Sequence, residues 1–379
     1  MSQKKEFVLK SFGSKNFRAL CKEYGISTKT GYKWQKRFMD QGWGGLEECS
    51  RRPLSHAKEL SEAVVCEIIR IKTKHKFWGA RKLRDVYGLT HSDVPSESSF
   101  KRVLDRVGLV EHRRMAQRSE AGRICTGRRA KAPNEIWTVD FKGWWYKANG
   151  ERCEPLTVRD EYSRYVLELR AVEDARSKTI QHCFERLFER HGLPEAIRSD
   201  NGVPFASTRG VLGLSRLSAW WVVLGIDLER SRPGCPQDNP AHERFHRDVE
   251  KQLRGEERQA SFEVWRREFN EERPHEALGM KRPAQVYTPS LRKFAGTPED
   301  LNYPKMDSRR VHQTGHIRHG NDSVFISSAL AGWSVGLEGC ATEKFNVHFA
   351  RLLLGQYDKS TSSFQRTEVG LGLKKKEDA

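Results

Sequence analysis

The stretch "IRSDNGVPF" (Ile197–Phe205) brings a short apolar approach to an abrupt halt, with Asp200 where a strand should stop. Ser-Asp-Asn-Gly is ordinary turn chemistry, so this aspartate acquires meaning only from its neighbours. Upstream, "IWTVDFKGWWY" (Ile136–Tyr146) is rich in aromatic and β-branched residues and holds Asp140 inside the run. A carboxylate buried there without a partner is costly. "EPLTVRDEYSRYVLELRAV" (Glu154–Val172) reads as two strands around a turn at Asp160–Ser163. Helical spacing follows over Ser177–Gly192, a strand over Glu195–Asp200, a helix over Leu214–Gly225, and a strand over Ile226–Ser231. A last helix spans Asp238–Gly255, with Asn239 as cap and Pro240 at its first position. The order β-β-β-α-β-α-β-α predicts a mixed five-stranded sheet with covering helices, completed by a helix and packed tail over Ser261–Tyr287.

If the strands carrying Asp140 and Asp200 are neighbours, both carboxylates reach one edge of that sheet. A third acid would come from the last helix. Glu243 lies in its first turn; Glu250 lies two turns further along, about 10 Å away, so geometry favours Glu243. His242, His246 and Arg247 flank Glu243 and read either as DNA contacts or as solvent-facing residues. Asp160 and Glu161, in a strand turn, read as structural.

The charge is unevenly spread. The 379 residues carry a formal net charge of +18. Residues 1–135 hold 30 Lys and Arg against 15 Asp and Glu, residues 136–290 hold 25 of each, and residues 291–379 hold 13 against 10. A basic N-terminal third ahead of a neutral middle suggests a polyanion held by one part and processed by another. With 37% apolar and 31% charged residues and no long uncharged apolar run, the composition is that of a polar protein without a membrane span. Its N-terminus has no signal-type apolar core. The eight cysteines are scattered with no CxxC, which favours reduced thiols in a cytoplasmic compartment and argues against a disulfide framework and structural zinc. No GxxxxGK[ST] loop for ATP is present.

Within the basic third, "NFRALCKEYGISTKTGYKWQKRF" (Asn16–Phe38) reads as two short helices around a turn at Gly25. Ser27 or Thr28 caps the second, which bears Lys29, Lys33, Lys36 and Arg37. This is the helix-turn-helix pattern, with a basic helix suited to a major groove. Amphipathic segments over Glu59–His75, Phe77–Leu89 and Pro95–Val110 suggest a second such unit, with Lys101 and Arg102 on its last helix. Glu111–Glu135 lacks periodicity and reads as a phosphate-contacting linker. Beyond a Pro-punctuated stretch, strand patterns return from Arg309 ("RVHQTGHIRH", "DSVFISSAL", "WSVGLEGC", "EKFNVHFARLLLGQYD") and suggest a small β-barrel.

The set "IWTVDFKG", "LTVRDEYSRYV", "IRSDNGVPF", "RPGCPQDNPAHERFHRDVEKQL" and "FNEERPHEALGMKRPAQVY" resembles the DDE transposase and retroviral-type integrase superfamily, most closely its bacterial insertion-sequence transposases. The resemblance covers most of the chain. It implies an RNase H-like core, an SH3-like C-terminal barrel, and catalytic, metal-holding acids at Asp140, Asp200 and Glu243. Three carboxylates are hard ligands suited to Mg²⁺ or Mn²⁺, two ions in such enzymes, serving in-line phosphoryl transfer. The implied partners are double-stranded DNA, both element ends and target, and further copies of the chain as a dimer or higher oligomer. The implied function is binding of terminal inverted repeats, 3′-end cleavage and strand transfer; a transposase-derived regulator without catalysis is the alternative. In two respects the chain departs from the common pattern: 42 residues separate Asp200 from Glu243, the excess assigned to an elongated helix and its approach in "STRGVLGLSRLSAWW", and Pro240 stands where Gly is frequent.

The expected organisation is therefore a first reader at 1–50, a second at 51–112, a basic linker at 113–133, and the catalytic core at 134–290. A linker at 291–306, the small barrel at 307–360 and a disordered tail at 361–379 complete it.

Overall fold

A computed structural model describes residues 3–48, 59–110, 128–146, 150–172, 174, 176–231, 240–256 and 258–367. Two compact units emerge, Met1–Glu67 and Ile68–Ala379. In the first, α1 (Gln3–Gly13), α2 (Phe17–Glu23) and α3 (Thr28–Gln41) close on Phe7, Val8, Leu20 and Cys21. Each helix start has a local cause. Asn16 accepts a hydrogen bond from the Ala19 amide at 3.0 Å, and Ser27 one from the Thr30 amide at 3.1 Å. Gly25, at φ +64°, makes the intervening turn. Gly31 sits inside α3, where glycine ordinarily weakens a helix. A Cβ there would lie 2.8 Å from Cys21 Sγ and from the Phe7 ring, so the missing side chain lets α3 close on its two neighbours. The helix-turn-helix expected over Asn16–Phe38 is this α2–α3 pair.

The helices α4 (Glu62–Lys74), α5 (Ala80–Tyr87) and α6 (Glu97–Arg106) follow, with Ser96 capping the last through the Ser99 amide at 3.2 Å. From Ile68 onward this segment belongs to the second unit. Ion pairs supply the reason. His75 Nδ1 lies 2.9 Å from Glu268, Lys74 Nζ 2.9 Å from Glu272, and Arg282 2.8 Å from Asp85. The linker expected at 113–133 lies outside the described residues up to 127.

The core begins with β1 (Ile136–Phe141), a hairpin of β2 (Trp145–Tyr146) and β3 (Arg152–Cys153), then β4 (Pro155–Asp160) and β5 (Val166–Ala171). Next come α7 (Ser177–His191), β6 (Ala196–Ser199), α8 (Arg216–Val223), β7 (Asp227–Arg230) and α9 (Pro240–Leu253). The helices α10 (Gln259–Arg267) and α11 (Pro283–Val286) complete it. The sheet order is β5-β4-β1-β6-β7, with β1 antiparallel to β4 and parallel to β6. This matches the expected element order; only the two-residue hairpin strands went unread. Helices cover both faces, which is why the strands read as nearly continuous apolar runs. On one face Trp137 and Val139 pack with Phe184 and Phe188 of α7 and Trp221 of α8. On the other, Val166 and Leu169 meet Phe245 and Val249 of α9 and Phe262 and Trp265 of α10. Strand alternation therefore turns Thr138 and Asp140 toward the α9 side.

Of the elongated helix and approach expected in the long gap after Asp200, the structure has the approach as a loop and no elongated helix. Helix α8 is only 8 residues long. The excess lies in a loop pinned by an isolated bridge between Ala206 and Leu214.

The stretch 291–306 is docked rather than free, since the Tyr303 hydroxyl donates to the Ser334 carbonyl at 3.1 Å and Arg292 to that of Pro194 at 2.6 Å. Then come β8 (Asp307–Arg310), β9 (His316–His319), β10 (Asp322–Phe325), β11 (Ser334–Ala341), β12 (Lys344–Phe349), β13 (Leu352–Asp358) and β14 (Ser363–Arg366). The expected strands are present, but among the described residues they do not close into a barrel. They form an open sheet, β14-β13-β12-β11-β8, beside a separate β9–β10 hairpin. The tail expected to be disordered from 361 contributes β14, paired along β13 from Gly355 to Asp358. Among the described residues no helix is long and apolar enough to cross a membrane.

Candidate active site

Ile136 of β1 pairs with Ala196 of β6, and Thr138 with Arg198. The same parallel offset, carried two residues further, sets Asp140 opposite Asp200. Asp140 is still within its strand, whereas Asp200 is the first residue past β6. Its turn is shaped by its own carboxylate, which accepts from the Gly202 amide at 3.1 Å. A Cβ at Gly202 would lie 2.8 Å from Asp200 Oδ2, so a side chain there would displace the carboxylate. Asn201 anchors the turn to β7 by donating to the Ser231 carbonyl at 2.7 Å.

Helix α9 lies against β1 and runs in the same direction. His242 Nδ1 is 2.9 Å from Thr138 Oγ1, His246 Nδ1 is 3.8 Å from Asp140 Oδ2, and Glu250 is 3.2 Å from Lys142 Nζ. Steps of four along a helix and two along a strand both cover roughly 6 Å, so the two stay in step. The first turn thus passes beside the strand rather than meeting its end, as the sequence had suggested. Glu243 lies one position from His242, exposed, in the first turn of α9. Arg159, buried under α9, holds that turn by donating to the Ala241 carbonyl at 2.7 Å.

Electrostatics ties the three acids together. Burial pushes the Asp140 carboxyl up to about 7; the neighbouring charges of Asp200 and, more weakly, Glu243 add to the rise, while the Phe141 amide and Lys142 oppose it. A raised carboxyl beside two more carboxylates is poised for a cation. The donor chemistry fits a divalent metal: hard oxygens at strand ends, with a histidine nitrogen nearby. Asp140, His242 and His246 are the metal-capable cluster among the described residues, their ligand atoms all within 4.8 Å of one another.

Sequence reasoning placed His242 and His246 in solvent or on DNA. They are 1% and 6% exposed and do neither. The signal was available, because both share one helical stripe with the apolar Phe245, Val249 and Leu253. Burial pushes His242 far below the usual histidine range and His246 down to about 3, so both rings are neutral. Asp160 and Glu161 hold structure. Asp160, fully buried, accepts from the amides of Asn134 at 2.8 Å and Ser163 at 2.7 Å. Glu161 and Glu229 clamp the buried Arg198 at 2.8 and 2.6 Å.

The basic residues singled out for DNA lie on α3 and α6. Lys29, Lys33 and Lys36 are exposed on α3, with Arg37 half-buried, and Lys101 and Arg102 are exposed on α6.

The chain is similar to known proteins in sequence and in structure. Models described as "Integrase core domain" match residues 130–236 and 224–283, and one described as "Homeodomain-like domain" matches 30–104. A 39.2 kDa uncharacterized protein of insertion element IS476 from Xanthomonas euvesicatoria is 25% identical over 252 residues, covering 63% of this chain and 70% of that one. The transposase for transposon Tn552 from Staphylococcus aureus is 23% identical over 274 residues, 65% and 53% of the two chains. A 31.7 kDa uncharacterized protein of insertion element IS407 from Burkholderia multivorans is 27% identical over 161 residues, 41% of this chain and 55% of that one. Two of these three relatives are thus matched over little more than half their length. Among solved structures, the HTLV-2 integrase catalytic core domain in complex with magnesium is 16% identical, at a TM-score of 0.31, over 42% of this chain and 97% of that one. The simian T-cell lymphotropic virus intasome with PP2A regulatory subunit B56 gamma is 14% identical, at a TM-score of 0.37, over 73% and 91%. A homeodomain-like reader, an integrase core and these insertion-element relatives together support an insertion-sequence transposase of the DDE and retroviral-type integrase superfamily.

Proposed function

We propose that this protein binds the terminal inverted repeats of an insertion sequence and catalyses 3′-end cleavage and strand transfer. The observation that carries the reading is the juxtaposition of Asp140 and Asp200 on neighbouring parallel strands, with Glu243 near enough to help raise the Asp140 carboxyl. These three acids would hold Mg²⁺ or Mn²⁺, as two ions. When bound, such a pair activates an attacking oxygen and stabilises a leaving one.

In the first step a water oxygen attacks the phosphorus at an element end, and the bond to the 3′ oxygen breaks to leave a 3′-hydroxyl. In the second, that hydroxyl loses its proton and attacks a target phosphorus, and the target's own P–O3′ bond breaks to release a target 3′-hydroxyl. Neither step needs a covalent protein intermediate. The exposed lysines of α3, Arg37, and Lys101 and Arg102 of α6 are assigned to element-end DNA. The two readers, the core of 134–290 and the C-terminal module of 307–360 divide the labour. The last is read as an open β-module for accessory DNA contact or subunit bridging, within a dimer or larger assembly on DNA.

Mapping the products of purified protein on labelled candidate element ends in Mg²⁺ tests the reading. A 3′-nicked end followed by a joined product supports it. Specific binding with no strand cleavage would point instead to a DNA-binding regulator.

A further inference from the structure

One hydroxyl beneath the acids fixes the orientation of a nitrogen lone pair. Thr157 Oγ1 lies 2.8 Å from the Asp140 carbonyl oxygen, 2.7 Å from His242 Nε2 and 2.8 Å from His246 Nε2. A hydroxyl has one proton and two lone pairs. The carbonyl can only accept, so it takes the proton. Both imidazoles must then donate from Nε2. His242 Nδ1 lies 2.9 Å from Thr138 Oγ1, which engages both of its nitrogens. Among the described residues His246 has no such second hydrogen bond. Its Nδ1 carries a lone pair and faces Asp140 Oδ2 at 3.8 Å.

That distance is too long for a hydrogen bond, and both atoms are electron-rich. A cation between them satisfies both. The backing also matches a metal-binding histidine, whose remote N–H is ordinarily held by an oxygen that fixes tautomer and ring orientation. Here Thr157 is that oxygen, and it is bonded to the backbone of Asp140 itself. The His246 side chain is nearly buried, whereas Asp140 keeps 30% of its side chain exposed, so a cation can approach from the carboxylate side.

We propose that His246 Nδ1 is a ligand to the divalent cation held at Asp140, a nitrogen donor beside the three carboxylates, with His242 and Thr157 as positioning residues. The inference rests on the reading of Asp140 as a metal-holding acid. It has a consequence for metal choice. Imidazole nitrogen favours Mn²⁺ over Mg²⁺ relative to an all-oxygen site, because Mg²⁺ prefers oxygen.

The test uses Mn²⁺ as the probe, with the full-length protein and no DNA. Electron spin echo envelope modulation detects nitrogen bound to Mn²⁺, and protein labelled with ¹⁵N only at histidine shifts that signal without altering any residue. The expected result is a histidine-derived coupling that disappears in His246→Asn and persists in Glu250→Gln. Mn²⁺ affinity in His246→Asn should fall about 10-fold, and Mg²⁺ affinity, by competition, clearly less. A thermal melt of His246→Asn reports whether it folds, and the labelled wild type stands without it. Mn²⁺ bound in an Asp140-dependent manner with no histidine coupling overturns the ligand assignment and leaves the acid site standing. Mn²⁺ binding indifferent to Asp140→Asn overturns both.

Discussion

Lys142, two residues past Asp140, holds Glu250 of α9 at 3.2 Å, and Arg254 approaches the same carboxylate at 3.7 Å. Glu250 is thereby committed to two cations on the side of the helix away from the first turn. Glu243 has no such engagement among the described ion pairs, and its charge reaches Asp140. Glu243→Gln should therefore abolish strand transfer, at least about 10³-fold, whereas Glu250→Gln should keep most of it. End-binding assays and thermal melts on both variants check that neither has unfolded. An inactive Glu250→Gln beside an active Glu243→Gln would reverse the assignment.

Gly202 offers a test of the Asp200 turn without touching an acid. A Cβ at this position would lie 2.8 Å from Asp200 Oδ2, so the carboxylate must rotate away. Gly202→Ala should lower cleavage about 10²-fold, the cost of a small misplacement at a reacting centre. Its melting temperature should change little. Unaltered kinetics in a folded Gly202→Ala protein would show that the orientation of Asp200 is unimportant.

The Asp140 carboxyl, raised from the usual 3.8 to about 7, links stability to pH. A raised carboxyl binds its proton more tightly in the folded state, so its contribution is greatest at low pH and declines as pH rises from about 4 to about 7. Metal-free wild type and Asp140→Asn should accordingly have diverging melting temperatures over that window, with the variant the more stable above pH 7. Saturating Mg²⁺ should close the gap by stabilising only the wild type. Melting curves that run parallel across the window would contradict the burial of the Asp140 carboxyl beside the other acids.

Arg198, two residues before Asp200, is clamped between Glu161 and Glu229 with 4% of its side chain exposed. Removing one partner of a buried pair leaves the other charges uncompensated, and Arg198→Ala should cost about 3–5 kcal/mol of unfolding free energy. Urea unfolding reads this directly. A loss under about 1 kcal/mol would place the clamp among surface pairs of little consequence.

Single alanine substitutions at Lys33 and Lys36 should weaken binding to element ends and lower the salt slope by roughly one for each phosphate no longer neutralised. Binding of equal strength and equal salt dependence would remove α3 from the interface.

Much of this arrangement was legible because its signals are local. The runs of β1, β4, β5 and β6 are apolar and β-branched, and Ser27, Ser96 and Gly25 punctuate helices as their chemistry demands. The misreadings concern what local patterns do not encode. Whether strands close into a barrel depends on pairing between β8 and β14, which are far apart in the chain. What α4–α6 pack against depends on Glu268, Glu272 and Arg282, nearly two hundred residues downstream of the helices they bind. His242 and His246 looked like surface residues beside Arg244, Arg247 and Asp248, although their spacing with Phe245 and Val249 pointed inward. Short elements such as the β2–β3 hairpin carry too few residues to show a period.

The central claim is that Asp140 and Asp200 form one metal-dependent phosphoryl-transfer site, and the most direct measurement is product mapping with Asp140→Asn and Asp200→Asn on labelled element ends in Mg²⁺. The account predicts that both variants bind the ends nearly as wild type does, yet yield neither the 3′-nicked strand nor the joined product. Normal cleavage by either variant would contradict it.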